Sequence, residues 1–171
     1  FIPGQFTGSY SSTPVPRAIA VDADGNIWAG TYGTRRYYKI NGLTGQIARE
    51  IAANHDPYGA VIDPAGMLWS ASAWGGSVFR LDPADDSLSS VALGHCAYGL
   101  GLDPRTGRLY ISGWTDSKLA QVDTATMYLE ARVTAKYQTR GVAVTDDGDI
   151  WTACSWDGTV TRWRTNPITN A

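Results

Sequence analysis

One pattern recurs four times along the 171-residue chain and limits what the chain can fold into. Its clearest copy runs Pro57-Tyr-Gly-Ala-Val-Ile-Asp-Pro-Ala-Gly-Met-Leu-Trp69, passes Trp74, and continues as Val78-Phe-Arg-Leu-Asp82. The other copies start at Arg17, Tyr98 and Arg140, so that successive steps from Arg17 through Tyr58 are 41, 40 and 42 residues. Each copy holds short apolar runs separated by glycine-bearing turns, and none shows a helical period. A fixed period of about 40–45 residues marks four-stranded propeller blades. The sequence therefore predicts an all-β chain, a β-propeller with four repeats of about 41 residues, in blades at approximately 16–56, 57–96, 97–138 and 139–171.

Within each repeat the innermost strand is short and apolar (Ala18–Val21, Ala60–Ile62, Leu100–Leu102, Val142–Val144), which predicts burial on both faces. Gly99, Gly101, Gly141, Ala18 and Ala20 suit a place where backbones converge on an axis. Turns such as Asp24-Gly and Asp147-Gly carry hairpin chemistry. Residues 1–15 are expected to supply an outer strand, and the fourth repeat lacks one of its own. Four blades are compatible with a small closed ring, with half of an eight-bladed ring completed by a second copy, or with part of a larger propeller. An open arc would leave two blade faces bare. Completion by self-association or by remaining chain is the expectation.

Composition narrows the partners. At 43% hydrophobic and 18% charged the chain is ordinary globular material. With net charge −2 and no basic cluster beyond Arg35-Arg36, neither nucleic acid nor an anionic membrane is an expected partner. Cys96 and Cys154 admit one disulfide, but two buried thiols are the expected state. The chain begins at Phe1, which reads as a processed form or a piece of something longer, and a secreted or periplasmic location is the expectation.

The turns of a blade fall on opposite ends of a propeller. One end collects the bends after the second strands, with Tyr32, Trp74, Trp114 and Trp156, and the entrances to the inner strands, with Arg17, Tyr58, Tyr98 and Arg140. His55 and His95 precede two of those entrances. These ten residues are the candidate ligand site: an aromatic and basic floor for a small molecule, glycan or peptide. The competing roles are structural, with the tryptophans as wedges between sheets and each histidine bonded to a turn backbone. Asp22-x-Asp24-x-Asn26 offers hard oxygen ligands, yet lacks the closing Glu of a calcium loop, and neither a metal nor another cofactor is expected.

The second copy, Pro-x-Gly, three apolar residues, Asp-x-x-Gly-x-Leu-Trp, then Val-x-Arg-Leu-Asp, resembles the repeats of the streptogramin lyase (virginiamycin B lyase) and NHL/SMP-30 group of propellers. Ser155-Trp-Asp-Gly and Gly94-His95 resemble pieces of WD40 blades. The lyase resemblance implies a magnesium ion held by glutamates beside a catalytic histidine. Only Glu50 and Glu130 are present, both in expected outer strands. The preferred reading is therefore a non-catalytic binding or scaffold propeller. The alternative is a lyase-like or hydrolytic enzyme using His55 or His95.

Overall fold

A computed structural model describes residues 15–164 and Ile168, and its regular elements are fifteen strands. Blade 1 is β1 (Val15–Val21), β2 (Ile27–Tyr32), β3 (Arg36–Ile40) and β4 (Ile47–Ala52). Blade 2 is β5 (Pro57–Ile62), β6 (Leu68–Ser72), β7 (Ser77–Leu81) and β8 (Leu88–Ala92). Blade 3 is β9 (Leu100–Asp103), β10 (Arg108–Gly113), β11 (Lys118–Asp123) and β12 (Tyr128–Thr134). Blade 4 is β13 (Thr139–Val144), β14 (Ile150–Cys154) and β15 (Val160–Trp163). Each sheet is an antiparallel meander in chain order. The outer strand expected from residues 1–15 lies outside the described residues, except that Val15 already belongs to β1.

The core is divided into three seams, one between each successive pair of blades. Trp28, Tyr37 and Ile51 of blade 1 meet Leu68 and Leu81 of blade 2. Trp69, Val78 and Val91 meet Leu109, Ile111 and Val122 of blade 3. Tyr110 and Leu119 meet Ile150 and Trp163 of blade 4, where Ile168 is also buried. Strand alternation explains the division, because successive side chains on a strand point to opposite faces. Each of blades 1 to 3 thus sends an aromatic residue of its second strand forward, Trp28, Trp69 and Tyr110, onto the next blade.

Burial of every inner strand on both faces does not hold. In β1, Ile19 and Val21 are exposed, as is Ala143 in β13. Both belong to end blades, and among the described residues no seam joins blade 4 to blade 1. The architecture is an open, partial propeller.

A carboxylate locks the inner hairpin of the first two blades. Asp63 accepts the backbone N–H groups of Ala65 and Met67, each at 2.9 Å, and the indole N–H of the fully buried Trp69 at 2.8 Å. Asp22 repeats this with Asn26 N at 2.8 Å and Trp28 Nε1 at 3.2 Å. Against a burial penalty, the bonds from Asn26, Lys39 and Trp28 hold the Asp22 carboxyl down at about 2. That carboxylate serves the turn and the indole rather than a cation. Thr145 takes the place in blade 4 and accepts only the Asp149 N–H, at 3.1 Å. Replacing Asp63 with Ala strands a buried indole donor and two turn amides, so Asp63→Ala should lose about 2–4 kcal/mol in urea denaturation. Thr145→Ala, at an exposed turn, should lose under about 1 kcal/mol.

Candidate functional site

The inner strands carry their entrance residues on irregularities of the ladder. Register shifts fall between Pro16 and Ala18, between Pro57 and Ala60, and between Thr139 and Gly141. Arg17, Tyr58 and Arg140 therefore sit in β-bulges, which re-aim a side chain away from the regular pleat. Tyr98 lies just ahead of β9, its N–H bonded to Ser112 O at 2.9 Å. The convergence expected near the axis is present. A Cβ on Gly59 would stand 2.7 Å from the carbonyl oxygen of Tyr98, and one on Gly99 would overlap that of Arg140. Ser112, fully buried, ties these backbones together: its hydroxyl donates to Arg140 O at 2.7 Å and accepts from Gly99 N at 3.0 Å.

These bulges assemble one aromatic band. Tyr32 meets Tyr58 edge-on at 6.2 Å, and the Tyr58 and Tyr98 rings lie 4.5 Å apart with their hydroxyls hydrogen-bonded at 3.0 Å. Tyr98 then meets Trp114 at 5.5 Å, and Trp114 meets Trp74 at 4.9 Å. Guanidinium groups cap the band. Arg17 lies 5.1 Å from the Tyr58 ring centre, and Arg140 lies 5.0 Å from that of Trp114 and 5.9 Å from that of Tyr98. Burial and the bond to Tyr58 raise the Tyr98 phenol, against the nearby Arg140 and Arg17, so it stays protonated at neutral pH. Among the described residues neither arginine pairs with a carboxylate. The Nε–H of Arg140 and the indole N–H of Trp114 are buried and make no hydrogen bond.

Three of the ten candidates lie apart from the band. Trp156 packs on Tyr137 at 5.4 Å. His55 is buried between blades 1 and 2, its Nε2 2.8 Å from the Tyr37 hydroxyl and its ring stacked 3.8 Å from Phe79. His95 is buried as well, its ring against Gly113. The four bend aromatics do not share one position. The pairs Pro16↔Thr31, Pro57↔Ser72 and Thr139↔Cys154 place Tyr32 one residue earlier in its blade than Trp74 and Trp156. Trp74 crosses over to Trp114 by adopting a left-handed backbone, φ 65°. Ser112 was the residue that sequence reasoning missed. Its only signal was a hydroxyl between Ile111 and Gly113 at the end of the second strand.

The acidic residues do not fit a lyase-type magnesium centre. Glu50, in β4, faces Arg36 at 3.3 Å, and Glu130, in β12, is held by Arg108 and Gln121. Among the described residues no three His, Cys, Asp or Glu side chains are grouped to hold a metal. Cys96 and Cys154 are free and buried. Shallow clefts of about 340 and 520 Å³ lie at the opposite, hairpin end, around Asp63, Pro64 and Ala65. The aromatic band lies away from these clefts, at the end that carries the inner-strand entrances.

Fold and repeat together make this chain a β-propeller protein. Its fold is similar to that of the streptogramin lyases. A family model for two-component regulator propellers matches residues 9–33. Hydrazine synthase of Kuenenia stuttgartiensis matches with TM-score 0.78 at 19% identity, over 94% of this chain and 48% of that one. A catalytically inactive virginiamycin B lyase from Staphylococcus aureus, solved with quinupristin, matches with TM-score 0.73 at 15% identity, over 93% and 58%. The WD40 repeats of RRP9 match with TM-score 0.77 at 16% identity, over 90% and 48%. The chain therefore spans about half the length of these relatives. No curated protein matches it in sequence.

Burial lowers the His55 imidazole from 6.5 to about 4, opposed in part by Asp56. Burial also lowers His95. Below pH 6.5 the unfolded chain takes up a proton that folded His55 refuses until about pH 4, so stability should fall as pH drops across that window. The loss from His55 alone is on the order of 3 kcal/mol. His55→Gln keeps a partner for Tyr37 and should flatten the slope of denaturation free energy against pH.

Proposed function

We propose that the axial face is a non-catalytic binding platform for a ligand combining a flat ring with an acidic group. Such a ligand is an anionic small molecule, an acidic glycan, or a peptide with neighbouring aromatic and acidic residues. The observation that carries this reading is the pair of arginines without carboxylate partners that bracket five aromatic rings. Aromatic faces offer large contact area at small entropic cost, and a guanidinium already stacked on a ring is held ready for a carboxylate or phosphate. The guanidinium groups of Arg17 and Arg140, stacked on these rings, are where acceptor oxygens of the ligand would sit.

The two histidines support binding less than they support packing, since each is enclosed by its own seam. The inner strands of blades 1, 2 and 4 carry the bulges, and blade 3 stands between two of them. Titration of tryptophan fluorescence with a panel of acidic oligosaccharides and acidic aromatic peptides tests the platform. The Arg140→Gln variant should weaken the best binder by about 10- to 100-fold, the worth of a charged hydrogen bond. Tyr98→Ala should do at least as much, while Arg105→Gln at the opposite end should change nothing. Equal affinity in all three variants counts against the platform.

A further inference from the structure

Blade 4 ends the arc with a three-stranded face whose middle strands repeat the pattern of the three that are covered. Strand pairing makes Trp151 the counterpart of Trp28, Trp69 and Tyr110, since these pair with Arg162, Lys39, Arg80 and Gln121 respectively. By the same register Val160 opposite Ala153 is the counterpart of Tyr37, Val78 and Leu119. Every one of those counterparts is buried in a seam. Trp151 is 37% exposed and Val160 63% exposed. At the other end, Ile19 and Val21 occupy the places of Ala60 and Ile62, of Leu100 and Leu102, and of Val142 and Val144, and those pack into seams. Ile19 is 66% and Val21 60% exposed.

One chain therefore carries both halves of a seam, a forward face on blade 4 and a backward face on blade 1, and among the described residues neither is covered by another blade. The geometry points to a second copy of this chain as the occupant, docked head to tail so that Trp151 and Val160 of each copy meet Ile19 and Val21 of the other. Two observations favour that occupant. The new seam repeats an interface the chain already makes three times, and the arc spans about half of chains with a similar fold, 48% of the hydrazine synthase and RRP9 chains and 58% of the virginiamycin B lyase. Two arcs facing each other would close through two equal seams, each copy covering both bare faces of the other. Each seam would bring an Arg17 beside an Arg140 and make the axial face more cationic.

Light scattering after size exclusion tests this, because the affected side chains are exposed in the single chain and their replacement leaves its own core intact. The unmodified protein should run at twice 18.4 kDa. Val160→Asp, which spoils the forward face, and Ile19→Asp, which spoils the backward face, should each halve that mass. Mixed in equal amounts, the two variants should recover a dimer fraction, since one seam of the mixed pair is undamaged. A monomeric unmodified protein overturns the proposal and assigns the bare faces to further blades of a longer polypeptide. A ladder of larger masses overturns closure by two copies, and variants that stay monomeric when mixed overturn the head-to-tail contact. The fluorescence titration is read separately on the monomeric variants, so loss of the dimer and loss of the platform are distinguishable.

Discussion

A four-stranded sheet with apolar side chains on both faces has no stable existence in water by itself, and this constraint shapes the whole chain. Fully burying a large apolar side chain is worth about 1.5–3 kcal/mol, and here that gain is available only where one blade lies against the next. The two faces of a blade are complementary: forward aromatics such as Trp28 and Tyr37 fill space over the backward leucines Leu68 and Leu81. Repeating one blade therefore repeats one seam. Stability accumulates by neighbour contacts, as in other repeat architectures.

The same packing produces the candidate site. Sheets that radiate from an axis must bring their inner strands close together, closer than side chains allow at some points. Gly59 and Gly99 remove the Cβ atoms that would strike the backbones of Tyr98 and Arg140. The bulges at Arg17, Tyr58 and Arg140 release the entrance side chains from the pleat at that narrow end. The rings of Tyr58 and Tyr98 come within 4.5 Å because their strands have been drawn together by the seams outside. Platform and core are thus consequences of one geometry, and Ser112 is the hydrogen-bonded link between them.

The period was legible because it depends only on repetition, and the strand positions followed from alternation and glycine-bearing turns. The role of Asp63 and Asp22 as clamps on an indole was less visible, since an aspartate before a turn has the same appearance whether or not a tryptophan donates to it six residues later. Bulges leave no composition signature, so the release of Arg17, Tyr58 and Arg140 from the pleat appeared only in the register. Exposure of an end blade is likewise invisible in a repeat, because Ile19 reads like Leu100 and Val142. The difference lies in what stands opposite, which is a property of the ring.

Blade 4 keeps the local support of its forward indole even though, among the described residues, no neighbour covers it. In blade 1 Lys39 both pairs with Asp22 at 3.0 Å and lies 5.5 Å from the Trp28 ring centre. In blade 4 the aspartate of that turn is replaced by Thr145, and the acidic group comes from Asp149 instead. Arg162 pairs with Asp149 and lies 5.8 Å from the Trp151 ring centre. The acid has moved four residues along the turn, yet a cation still stacks on the same indole. A tryptophan serving only a solvated edge would need no such support. Its retention over a rearranged turn fits a face whose indole is held in place for contact with another blade.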